Sequence, residues 1–110
     1  MDLNTEYTSN EKPVMISKRY GRSTRYFVPY GIIENDGVYT FRYISISPEY
    51  YNYGGLVDAI IATKYAMKDE FAIINNYLLN SDNESYIEEY NEFQNFRKFA
   101  KEEAKKHFNL

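Results

Sequence analysis

Apolar and polar residues alternate from Val38 to Ser47, and the alternation stops at Pro48. From Leu56 onward, apolar residues recur every three or four positions instead. A period of two belongs to strands and a period near 3.6 to helices. A chain of 110 residues that reads first one way and then the other is expected to form one α+β domain. The expected architecture is an N-terminal antiparallel β-hairpin or three-stranded meander followed by three helices, the last one long.

Within the β-rich part, expected over 13–47, Pro13–Ile16 reads as a short first strand and Thr24–Tyr30 as a second. Pro29 has no backbone donor, so it belongs at an edge or bulge. Lys18–Ser23 reads as a polar loop broken by Gly21. Asn35-Asp36-Gly37 is a hairpin signal, because Asp-Gly tolerates the positive φ of tight turns. Val38, Thr40, Arg42, Ile44 and Ile46 share one face of the next strand, and Tyr39, Phe41, Tyr43 and Ser45 share the other. So few strands need a helix across one face. Met1–Lys12 reads as a flexible start.

The helical part is expected over 54–107. Leu56–Tyr65 carries Val57, Ile60, Ile61 and Tyr65 on one side. After a break near Ala66-Met67, Lys68–Leu79 carries a stripe of Phe71, Ile74 and Leu78, extended by Met67. Ser81-Asp82-Asn83-Glu84 matches a capping box. The last helix runs over Glu84–His107, with Tyr86, Tyr90, Phe93, Arg97, Ala100 and Ala104 along one side. Its glutamates crowd the first half and its lysines the second, which complements the helix dipole. The first two helices are expected to cover the sheet together, with the long one projecting.

Composition narrows the chemistry. There is no cysteine, hence no disulfide framework or thiolate chemistry. The one histidine, His107, is the fourth residue from the end and makes a poor candidate for a catalytic base. Glu84, Glu88 and Glu92 can share a helix face, but a solvated acidic stripe explains them better than a metal site. Gly54-Gly55 lacks the lysine or serine of a phosphate loop. Neither catalytic residues, metal ligands nor a cofactor are expected, and the chain is read as not an enzyme. No apolar run is long enough for a membrane span. The polar start does not resemble a signal peptide. A cytoplasmic or virion-associated location is expected, without secretion by a signal peptide.

Thirteen tyrosines and seven phenylalanines are the outstanding bias. Tyrosine offers rigid area with a wet hydroxyl, which suits a thin sheet or a protein interface. Tyr50, Tyr51 and Tyr53, beside two glycines, form one candidate contact cluster. Tyr86, Tyr90 and Phe93 on the long helix form the other. Lys18, Arg19, Arg22 and Arg25, interleaved with Tyr20 and Tyr26, form a candidate nucleic-acid cluster in which cations meet phosphates and rings stack on bases. A net charge of −3 opposes that reading.

Gly55-Leu56-Val57-Asp58-Ala59-Ile60-Ile61, Lys64-Tyr65, Glu70, Asn75-Asn76-Tyr77-Leu78, Glu89-Tyr90, Phe93-Gln94-Asn95-Phe96-Arg97 and Ala100-Lys101 together resemble the tail of short phage and prophage tail-associated accessory proteins of gut anaerobes. The resemblance covers about residues 54–106. It rests on packing motifs, and it implies a virion or assembly component with no catalytic residues to carry over.

The leading expectation is therefore a non-enzymatic structural or assembly protein of phage or prophage type. It would act through tyrosine-rich contacts with a protein partner or with itself. The alternatives are a nucleic-acid-binding accessory protein that uses the basic loop, or a small inhibitor of a host enzyme.

Overall fold

The computed structural model describes residues 5–110. The first four residues of the expected flexible start lie outside the described residues. The rest of that start is not free: β1 (Tyr7–Ser9) pairs with β4 (Val38–Ile46), Tyr7 lying opposite Phe41. β2 (Ile16–Tyr20) pairs with β3 (Ser23–Asn35), which pairs in turn with β4. The result is a four-stranded antiparallel sheet in the order β1-β4-β3-β2, one strand more than the largest sheet expected. A single 3-10 turn, Pro48–Tyr50, ends the sheet. Three helices follow: α1 (Tyr53–Ala62), α2 (Met67–Leu79) and α3 (Glu84–Phe108). The α+β class and the long last helix are as the sequence implies. No helix among the described residues is long and apolar enough to cross a membrane.

Two turns set the register. Asp36 and Gly37 take φ values of 53° and 78° between the paired residues Asn35 and Val38, as the Asp-Gly signal requires. Gly21-Arg22 joins Tyr20 to Ser23, so the expected polar loop at 18–23 is instead the tip of a β-hairpin. The alternation in β4 holds. Ile44 and Ile46 join Val28 and Tyr30 in the main core under the helices, while Phe41 and Tyr43 join Phe27 on the opposite face. There Tyr7 from β1 packs on Phe41 and Tyr43, with ring centroids 6.1 and 5.7 Å apart.

β3 contains a bulge. Tyr30 pairs with Arg42 and Ile33 with Thr40, so Gly31 and Ile32 oppose Phe41 alone. Gly31 has φ 63°, the left-handed conformation that suits glycine at such a site. Pro29 sits two residues before it, beyond Ile16 where β2 stops pairing, so its missing donor breaks no ladder bond with β2.

Two of the three helices, α1 and α3, begin on asparagine caps, while α2 follows Ala66 with no side-chain cap. Asn52 accepts from the Gly55 amide at 2.8 Å and Asn83 from the Tyr86 amide at 3.2 Å. The expected capping box at Ser81 does not form; the cap lies two residues later, at Asn83. α1 starts at Tyr53 and takes both glycines into its first turn. A Cβ on Gly55 would stand 1.9 Å from the Tyr50 carbonyl oxygen, so only glycine lets the chain pass so close.

The helix layer also differs from expectation. α1 and α3 cover the sheet: Leu56, Val57, Ile60 and Ile61 of α1 and Phe93, Ala100 and Ala104 of α3 are buried in the main core. Alanines at 100 and 104 let α3 approach closely. α2 rests mainly on α3. The α2 helix and the start of α3 thus form an arm beside the sheet body. The radius of gyration, 16.2 Å, exceeds the roughly 13 Å of a spherical domain this size.

Candidate protein-contact surface

The tyrosines singled out for contact are mostly occupied within the chain. Phe93 is 1% exposed, at the centre of the core, with the Tyr65 ring 5.0 Å away. It cannot present itself to another chain, which corrects its place in the expected contact set. Tyr90 stacks flat on Tyr77 at 3.9 Å and joins α2 to α3. Tyr86 is half-buried in the first turn of α3. Tyr51 packs edge-on to Tyr26 at 5.1 Å and against Phe108 at 5.0 Å. Tyr53 is half-buried against the main core. Tyr50, 62% exposed, and the half-buried Tyr86 stand outside the core clusters. The reason is common to Phe93, Tyr90, Tyr51 and Tyr53: a body this thin uses aromatic rings to close the seams between its own elements.

The Tyr51 hydroxyl and the His107 Nε2 share a hydrogen bond of 2.6 Å, which ties the end of α3 to the segment leading into α1. Burial lowers the imidazole pKa below its ordinary value. It also raises that of the Tyr51 hydroxyl, with the neighbouring Tyr26 hydroxyl adding to the effect.

The basic cluster is divided by the β-hairpin that carries it. Lys18 lies opposite Arg25, on the face of Phe27, and its Nζ sits 5.8 Å from that ring. Arg25 donates to the Ser45 and Ser47 hydroxyls. Arg19 lies opposite Thr24, on the other face, and donates from Nε to the Gly21 carbonyl at 3.1 Å. Tyr26 also lies on that other face, under Tyr51 and therefore not open to a base. Tyr20 and Arg22 remain exposed at the hairpin tip. The cations at 18 and 19 are on an edge strand, where charge discourages further strand pairing.

An open groove of about 610 Å³ runs beside the bulge, lined by Tyr30, Gly31, Ile33, Arg42, Phe99 and Glu103 among others. Four of its five charged residues answer one another. Glu6 lies 3.8 Å from Arg42, and Glu103 lies 3.7 Å from Lys106 while accepting the Gly31 amide at 3.3 Å. The groove therefore presents two ion pairs, the Lys64 ammonium over the Phe96 ring, and an apolar floor. No group of three or more His, Asp or Glu placed to hold a metal occurs among the described residues.

The surface that stands out is on α2. Met67, Phe71 and Leu78 are 70%, 60% and 68% exposed, and Leu79 beside them is 82% exposed. The sequence marks Met67, Phe71, Ile74 and Leu78 as the packing stripe of this helix. The structure turns that stripe outward: α3 meets Ile73 and Tyr77 instead, roughly 120° around the helix, and only Ile74 is shared. α2 is thus apolar on two sides and has a neighbour on one. The signal was present in the sequence, since Ile73 and Tyr77 widen the stripe beyond what one neighbour needs.

Comparison with protein-family models, curated proteins and solved structures finds no match. The α2 stripe therefore rests on its own geometry. Three large side chains aligned over three turns, with no polar group between Phe71 and Leu78 on their line, form an apolar strip of the kind that marks contact sites.

Proposed function

We propose that this chain is a non-enzymatic structural or assembly protein that works by protein–protein contact, and that α2 is its contact element. The observation that carries the reading is the outward stripe of Met67, Phe71 and Leu78 on a helix whose other apolar side already has a partner. Leaving that much apolar surface in water is unfavourable by about 25 cal/mol per Å². An arm anchored to a rigid body by the Tyr77–Tyr90 stack is suited to presenting it. The phage or prophage tail setting belongs to the same proposal and is supported by the resemblance over residues 54–106.

The test is co-purification of the tagged chain with the products of its neighbouring genes, followed by mass spectrometry. A tail or baseplate protein, or a second copy of the chain, retained by the wild type and by Tyr50→Ser, but lost from Phe71→Ser and Leu78→Ser, is the expected result. An absence of both hetero- and self-association, or binding indifferent to the α2 substitutions, would overturn the reading.

A further inference from the structure

Resting on the contact reading above, the geometry points to a second copy of this chain as an occupant of the α2 stripe, paired antiparallel about a two-fold axis. The stripe residues fall at 67, 71, 74 and 78, separated by four, three and four positions. That is the spacing of a coiled-coil seam, with apolar residues repeating every 3.5 positions on average. It is also palindromic. When two such helices lie antiparallel, Met67 of each meets the partner's Leu78, and Phe71 of each meets the partner's Ile74. One surface thereby satisfies itself twice, as a two-fold interface requires.

Charge is compatible with this pairing. The seam itself carries none. Beside it run Lys68 and Asn75 on one flank, and on the other Glu70 with Tyr77, whose ring is already stacked on Tyr90 of α3. Antiparallel pairing brings like flanks together, so Lys68 falls beside the partner's Asn75 and Glu70 beside the partner's Tyr77. No two like charges are opposed, although the helical half of the chain is acidic as a whole.

Size sets the strength. With Leu79 at the margin, two stripes facing each other bury on the order of 1,000 Å² in total, the lower bound for a specific interface. A free peptide of this length would not hold such a seam. Here each helix is already folded and fixed on α3, so little backbone entropy remains to be lost on pairing, and the cost is that of ordering the exposed side chains. A reversible dimer in the micromolar range is expected.

Sedimentation velocity over a concentration series tests this, with circular dichroism to confirm that each variant is folded. Leu78→Glu alone and Met67→Lys alone should each weaken self-association about tenfold or more. Mixed in equal amounts, the two variants should recover a dimer. In the antiparallel register the introduced glutamate meets the introduced lysine at one end, and the native pair remains at the other. A parallel pairing would align neither, so failure of the mixture to associate would overturn the register. A wild type that stays monomeric, or a dimer that ignores both substitutions, would overturn the self-pairing altogether. If the wild type is monomeric yet retains a different protein through Phe71 and Leu78, self-pairing falls while the contact reading stands. If neither occurs, both fall.

Discussion

In the sheet body, most apolar residues on both faces find cover within the chain, the exceptions lying at strand ends such as Ile33 and Val38. Val28, Ile44 and Ile46 lie under α1 and α3, and Phe27, Phe41 and Tyr43 shield one another with Tyr7 and Ile16 at their margin. On α2 the proportion reverses. Ile73 is the only buried residue of the helix, while Met67, Phe71, Leu78 and Leu79 face water. The two regions have similar kinds of residue and differ in what covers them. In the body, apolar area lowers the free energy of the fold directly. On the arm, the same chemistry contributes to the fold through one side only, and the other side becomes useful when something binds it. The contrast teaches that a periodic stripe identifies a helix that wants a neighbour without saying whether the neighbour is in the same chain.

Phe93 sits where the two regions meet, and its removal is the strongest way to break the contrast. Phe93→Ala should cost about 3–5 kcal/mol in urea unfolding, the range for emptying a core of a phenylalanine ring. It should loosen α2 as well as the α1–α3 seam, because the ring is at the core position of α3 reached from both sides. A loss below about 1 kcal/mol, far from the cost of a core cavity, would mean that the arm and the body are not joined through this residue. Next in size is Gly55→Ala. The added methyl meets the Tyr50 carbonyl in a backbone already tightly folded, and overpacking of this sort costs about 1–3 kcal/mol. This substitution acts on the body alone. Hydrogen exchange should show faster opening at 44–61 and little change at 67–79. Equal effects in both segments would erase the distinction between body and arm.

Legibility in the sequence followed the same divide. β4 could be read face by face, because its alternation is strict and both faces end up covered. The Asp36-Gly37 turn was legible from its demand for positive φ. α3 was legible from the spacing of Phe93, Ala100 and Ala104. Other elements were hidden for identifiable reasons. β1 is three residues of mixed polarity whose strand character comes from pairing with β4, distant in sequence, which no local pattern records. The hairpin of β2 and β3 was obscured because charged residues on an edge strand look like a loop. The first helix reads as starting at Leu56, after Gly54 and Gly55, because glycine gives no helical signal; Asn52 caps α1 ahead of both. Among the candidate contact residues, the sequence located aromatic area without showing that Tyr51, Tyr90 and Phe93 would meet Tyr26, Tyr77 and Tyr65. The α2 stripe was visible as a stripe, and only the folded arrangement shows that it lies open.

The smaller effects concern how α3 is fastened to the body. Glu103 accepts the amide of Gly31, which the bulge leaves without a strand partner. Glu103→Ala should cost about 1–2 kcal/mol, as expected for an amide left partly buried and unpaired. Glu103→Gln should recover part of that loss, since a carboxamide oxygen can still accept. Equal losses in the two variants would show that the hydrogen bond to the bulge is not what matters.

The smallest expected effect is a pH dependence from His107. Its folded pKa is lowered by burial beneath Tyr51 and Phe108. Between that lowered value and the ordinary imidazole value near 6.5, the unfolded chain binds the proton that the folded chain refuses. The contribution of this residue is therefore present above the ordinary value and is lost as the pH falls through the folded one. Nearby charges could mimic the effect: Lys105 and Lys106 adjoin His107 on α3, and Glu103 lies one turn earlier. The comparison is thus wild type against His107→Gln, which keeps those charges and can still hydrogen-bond to Tyr51. The acid-side slope of stability between pH 7 and 5 should be shallower in the variant, while hydrogen exchange within α2 should be the same in both at neutral pH. An unchanged slope would show that protonation of this imidazole does not loosen the fastening of α3, and a slope lost together with protection in α2 would show that the arm depends on that fastening after all.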